Sequence, residues 1–305
     1  MPPVLSDFDA SSFVGSLAPV GIVIALIGAV FLSLGAQFQH RGVEQVEASH
    51  GSGAKAGLSP GQLFRLLARP WWALGTLMLG LAIVFQLTSL TFAPLIVMQP
   101  LGVVALVLTS ILNARLSGHR LDHRARNAIF MCVGGIGVFV AIAAVYAKEH
   151  VLGDAQLIIV LSALAAILVA LGLAFVRWRT SAGAIFYILA AGVLYGFVAT
   201  LAKAVINRLG NGNFEWLTVL CIVSLLAAAA LGGYFVQTAY SVGAPDLVIA
   251  GLTVVDPLVA VVIGITVFGE ASEVPLWVIL TWLVVGTVAV IGVFQLARHH
   301  PQTHR

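Results

Sequence analysis

The stretch Ala244–Phe268 reads APDLVIAGLTVVDPLVAVVIGITVF, and its reading decides the fold. It is apolar for long enough to cross a bilayer, which takes about 20 residues. Inside it stands Asp256-Pro257. An ionisable residue at bilayer depth is expensive, so it is rare and usually functional. A proline beside it frees backbone groups, which are tolerated only where they face protein or a watery cavity. Asp256 comes about 11 residues after Pro245, roughly 17 Å along a helix. That depth is near the middle of a hydrocarbon core about 30 Å thick. The earlier run Leu90–Leu116 carries a counterpart, Gln99-Pro100. Two interrupted helices at corresponding places in the halves of a membrane protein point to a transport site.

Composition agrees. Of 305 residues, 60% are hydrophobic and only 9% charged, where a soluble domain carries about 25% charged. The mean hydropathy is +1.06. Too little polar surface exists to coat a soluble globule, so the bilayer is the expected solvent. The basic residues are scattered between apolar runs and form no stripe, which argues against a nucleic-acid partner. Cys132 and Cys221 lie within apolar runs and read as small packing residues rather than a disulfide or metal pair. The first residues hold Asp7 and Asp9 but no Lys or Arg. They lack the basic region of a signal peptide, so the first apolar run is expected to remain.

Nine spans are expected: 14–38, 70–90, 93–116, 127–147, 155–176, 182–206, 214–238, 245–269 and 275–297. The fold class is thus an all-α polytopic membrane protein. Pro94, Pro245 and Pro275 suit first helical turns, where a missing N–H costs nothing. One side of the membrane receives 12 of the 15 Lys and Arg residues, and the other only Lys148, Lys203 and Arg208. The rich side is expected to be cytoplasmic. That puts the N-terminus outside and the C-terminus in the cytoplasm, as an odd number of spans requires. The Ala, Val and Gly richness suits a bacterial source and hence the inner membrane.

Spans one to four pair with spans six to nine, giving inverted four-helix repeats around a connecting fifth span. The units are 1–147, with a cytoplasmic loop at 41–68, then the connector at 148–181, then 182–305. Within the loop, Leu63–Leu67 reads as a short interfacial helix. The repeat register is open, because Gln99-Pro100-Leu101 and Asp256-Pro257-Leu258 match only with a shift of about six residues against Ala93-Pro94 and Ala244-Pro245.

Certain residues carry a family resemblance. Ala239-Tyr240-Ser241-Val242-Gly243-Ala244, then Val255-Asp256-Pro257-Leu258, then Phe268-Gly269-Glu270 resembles the end of an EamA-type repeat. Such repeats belong to the drug/metabolite transporter superfamily. The first half resembles the NIPA-type magnesium transporters, through Gly35 to His40-Arg41-Gly42, Trp71-Trp72, Phe92-Ala93-Pro94 and Gln99-Pro100-Leu101-Gly102. The resemblance implies a secondary carrier that moves a small solute or cation by alternating access. Two carboxylates of the NIPA pattern are absent: one falls on Ile83, the other on His119.

Asp256 is the expected site for a coupling proton, a cation or a metal. The alternative is that it only caps a half-helix starting at Pro257. Gln99 and Pro100, with Gln86, are expected along the pathway, or else in hydrogen bonds between helices. Lys203 would face Asp256 or an anionic solute, or snorkel at a helix end. His40, Arg41 and Glu270 are candidate gates, with anchoring or solvation as the plainer readings. Tyr195, Tyr234, Tyr240 and Gln237 either line a pocket or pack. Gly134, Gly135, Gly137, Gly232 and Gly233 read as helix-packing positions.

No phosphate-cradling Gly-x-x-x-x-Gly-Lys-Ser/Thr occurs, and no nucleophile–base pair is visible, so an enzyme is not expected. No cofactor is expected beyond the coupling proton or cation. The expected partners are the lipid bilayer and the solute, with homo-oligomer formation left open. A NIPA-like magnesium carrier is one rival reading. A non-transporting scaffold or accessory subunit is another.

Overall fold

The computed structural model describes residues 10–48, 70–116, 123–148, 150, 152–178, 183–242 and 245–298. Among the described residues there are nine helical stretches long and apolar enough to cross a membrane. They are Ala18–Gln39, Pro70–Ser89, Leu95–Leu112, His123–Tyr146, Asp154–Arg177, Ala184–Gly210, Trp216–Tyr240, Leu247–Thr266 and Leu276–Leu296, called spans one to nine below. Each overlaps an expected span. No strand occurs among the described residues. The chain is an all-helical polytopic membrane protein.

Helix starts and stops follow the prolines. Span two ends at Ser89, and span three starts at Leu95 directly after Pro94, whose ψ of 155° is extended. Local bonds close the connection: the Ser89 hydroxyl donates to the Gln86 carbonyl at 2.7 Å, and Thr91 donates to the Thr88 carbonyl at 2.7 Å. The first helix differs from expectation. It runs from Ala10 to Ala48, so residues 41–48 extend a helix rather than open a loop. The expected helix at Leu63–Leu67 lies outside the described residues.

Packing has a repeated pattern. Span one lies along span two and then span three; span six lies along span seven and then span eight. Span three meets span four as span eight meets span nine. The halves join where span four packs on span nine and span three touches span eight. Spans three and six are the most enclosed, and spans two and five the least. Span five therefore sits at the edge, with Leu173 and Val176 exposed as lipid-facing residues would be.

Small residues bring the spans together. A Cβ on Gly135 would lie 2.8 Å from the Val285 carbonyl, and one on Gly292 would lie 2.8 Å from the Cys132 amide. Gly135 is thus a packing position as expected, whereas Gly134 and Gly137 face nothing within 4 Å. Phe139 and Trp282 pack in the same seam at 5.6 Å between ring centroids. Cys132 and Cys221 are both free and buried, which agrees with the packing reading.

Candidate functional site

A cavity of about 470 Å³ lies between spans one, two, three, six and eight. Gln86, Gln99, Asp256 and Pro257 all line it, together with Tyr195 and Thr253. The structure therefore brings together five of the residues singled out from sequence, Gln86, Gln99, Tyr195, Asp256 and Pro257, from both halves of the chain. Pro100 stands just outside, in a separate apolar pocket that shares Pro257, Thr253 and Val103 with the cavity wall. Among the described residues the cavity wall contains one carboxylate and no Lys, Arg or His.

The two proline triplets behave differently. In span three, Leu95–Met98 forms one helical turn, Gln99–Leu101 is a 3₁₀ turn, and a regular helix resumes at Gly102. This span is interrupted as expected. In span eight the helix runs unbroken from Pro245 to Thr266 with Pro257 inside it. The expected interruption there is corrected, and Asp256 does not cap a half-helix. The physical reason is the length of helix upstream. Only one turn precedes Pro100, too short to hold its shape cooperatively, whereas three turns precede Pro257. Pro257 still lacks the N–H that would bond the Thr253 carbonyl.

Span eight is also clasped by span six. A Cβ on Gly192 would lie 2.6 Å from the Val255 side chain, and one on Gly196 would lie 2.6 Å from Val259 and 3.0 Å from the Asp256 carbonyl. The Asp256 backbone thus rests in a bed made by two bare glycines. Their Gly-x-x-x-Gly spacing is a known signal for close helix approach, and it identifies the bed from sequence. The Oδ1 atom of Asp256 is buried and has no hydrogen-bond partner. Leaving a buried carboxylate oxygen unpaired is costly, so such a group marks a place where a proton or a cation belongs.

Lys203 and Glu270 do something else. The Lys203 ammonium, 3% exposed, donates to the carbonyls of Leu90 at 2.5 Å and Ala93 at 2.9 Å. It neither faces Asp256 nor snorkels. Glu270, also 3% exposed, accepts from the amides of Leu95 at 2.7 Å and Ile96 at 2.8 Å. It is therefore not a solvated loop carboxylate. The logic is that of helix ends. The carbonyl end of span two takes a cation, and the amide end of span three takes an anion. Gly269, with φ of +70°, turns the chain into Glu270. Gly264 leaves room for the carboxylate, since a Cβ there would lie 2.7 Å from Oε2.

Leu90 is part of both the central cavity and a smaller pocket of about 260 Å³ that Lys203 also lines. The clamped connection therefore forms the partition between the two.

The remaining cations of the basic-poor side are also engaged. Arg208 is 3% exposed and donates to Asp154 at 2.5 Å, Glu215 at 3.2 Å and Thr218 at 2.8 Å. Lys148 pairs with Glu273, and both side chains are exposed. The Lys148 hydrogen bond and charge hold the Glu273 carboxyl below the usual range. Arg41 is half-buried near the end of the first helix, and the His40 side chain lies outside the described residues. Tyr234 and Tyr240 are exposed on span seven, as is Gln237, and do not line the cavity. Gly232 lies under the Tyr195 ring at 3.1 Å for an added Cβ, so it packs as expected.

Fold and site define a polytopic helical membrane protein with a largely apolar central cavity holding one carboxylate. The chain is similar to an uncharacterized protein of Corynebacterium glutamicum (Cgl0250/cg0304), at 25% identity over 287 residues, covering 92% of this chain and 95% of that protein. No protein-family model matches the chain. No solved structure matches it either.

Proposed function

We propose that this protein is a secondary carrier of the drug/metabolite transporter superfamily, moving a small solute or cation by alternating access. The observation that carries the reading is the cavity between the two halves, lined by Asp256 with an unpaired buried oxygen and by the neutral amides Gln86 and Gln99. In this reading Asp256 binds the coupling proton or the cation, and the halves rock around it. The repeated packing of spans one to four and six to nine supports inverted repeats. The charge bias supports an inner-membrane orientation with the C-terminus in the cytoplasm. Homo-oligomer formation has no part in the mechanism.

A magnesium carrier is less well supported. Magnesium binds through oxygen with near-octahedral geometry and usually one or two carboxylates. Ile83, at the place of the NIPA-type acid, lines this cavity and leaves Asp256 as its lone carboxylate. The non-transporting scaffold draws only on the exposed span five and the open faces at Gly134 and Gly137, which lipid covers equally well.

The test is uptake into proteoliposomes across a panel of labelled cations and metabolites. Asp256→Ala is expected to abolish uptake of whichever solute the wild type moves. Equal uptake by the two proteins would overturn the mechanism. Magnesium as the transported species would favour the NIPA-like alternative.

A further inference from the structure

We infer that the solute this cavity fits is a monovalent organic cation: a protonated amine on a compact apolar body. The inference rests on the carrier reading and names its solute class. Charge balance comes first. The cavity wall offers Asp256 and no basic residue among the described residues. The nearby buried lysine, Lys203, is spent on the Leu90 and Ala93 carbonyls and lines the other pocket. An anionic solute would meet a carboxylate with no cation to offset it.

The unpaired oxygen comes second. Asp256 Oδ1 is buried without a donor. Once the carboxyl turns into the cavity that Asp256 lines, an ammonium N–H supplies the missing bond in its charge-assisted form, roughly twice as strong as a neutral one.

Size and wall come third. A cavity of about 470 Å³ falls within the range of small-molecule sites, about 300–1,000 Å³. A proton or a bare ion needs far less. Gly28, Ala29, Leu32, Ile83 and Val198 give it apolar walls, which suit a hydrocarbon body and offer no ligands to a hard dication. Gln86 and Gln99 add neutral amides that can accept the remaining ammonium protons.

The test is calorimetric binding to the full chain, purified in detergent at neutral pH, with three near-isosteric probes: phenethylammonium, phenethyl alcohol and phenylacetate. Phenethylammonium should bind the wild type about ten-fold or more tightly than the alcohol. Phenylacetate should not bind. Asp256→Asn should bring phenethylammonium down to the level of the alcohol, and Asp256→Glu should retain the preference. Ile83→Trp, which fills the cavity, should weaken both. The alcohol or phenylacetate binding the wild type as well as phenethylammonium would overturn the inference, whatever the variants do. So would displacement of phenethylammonium by stoichiometric magnesium chloride. Proteoliposome flux of another solute class, without ammonium preference, would sink this inference and leave the carrier reading. Ammonium-selective binding without any flux would sink the carrier reading and leave the cation site.

Discussion

Span three and span eight carry the same Xaa-Pro-Leu triplet and face one cavity, yet one passes through a 3₁₀ turn and the other stays α-helical. Span three is short upstream of its proline, wound into a 3₁₀ turn there, and held at its start by Lys203 and Glu270 from the other half. Span eight is long upstream, continuous through its proline, and clasped by Gly192 and Gly196. The first has the backbone groups at its entry, the Leu90 and Ala93 carbonyls and the Leu95 and Ile96 amides, answered by fixed charges. The second keeps one carboxyl oxygen of Asp256 without a hydrogen-bond partner. A triplet read alone does not say which of these it will be; the length of helix before it and the neighbour beside it decide.

The comparison can be broken at four places, taken from the largest expected effect to the smallest. Glu270→Ala removes the acceptor from two buried amides, each costing about 1–3 kcal/mol when unpaired. Thermal unfolding in detergent should show a loss of about 3 kcal/mol or more, with Glu270→Gln intermediate. A loss no larger than that of a surface substitution would show that the clamp does not hold span three. Gly196→Ala should cost about 1–3 kcal/mol by overpacking against Val259. An unchanged melting temperature there would mean that span eight does not need its bed.

Pro257→Ala gives the Thr253 carbonyl its donor back and should raise stability by about 1 kcal/mol. Pro100→Ala should gain less, because only one turn lies upstream. The reverse order of gains would contradict the explanation of why the two spans differ. The smallest effect concerns Lys148 and Glu273. A carboxyl held below its ordinary range stabilises above its unfolded pKa, and that contribution is lost as pH falls through the folded pKa. Both side chains are more than half exposed, so Glu273→Gln should leave the melting temperature unchanged near neutral pH. A clear drop would show that this turn supports Glu270 more than its exposure suggests.

Much of the fold was legible from sequence for a plain reason. In a bilayer, apolar length and terminal prolines mark a helix, so Pro94 and Pro275 located their turns and all nine expected spans have observed counterparts. The cavity was partly legible, because Asp256, Gln99 and Gln86 are polar where polar groups are costly. Lys203 and Glu270 were not. Their charges read as aimed at a solute or at water, yet both bond backbone atoms more than 100 positions away. Backbone carbonyls and amides leave no mark in a sequence. Helix continuity at Pro257 follows from the three turns that start at Pro245, a length the sequence carries but the Asp-Pro pair read alone masks.

The most direct measurement is side-specific labelling of the cavity. Thr253→Cys, placed on the Cys132→Ala, Cys221→Ser background, would be exposed to a membrane-impermeant maleimide in right-side-out and inside-out vesicles. Alternating access around Asp256 predicts labelling from both sides, with Asp256→Asn shifting the ratio between them. Labelling from one side only, at a ratio that Asp256→Asn does not alter, would contradict the account.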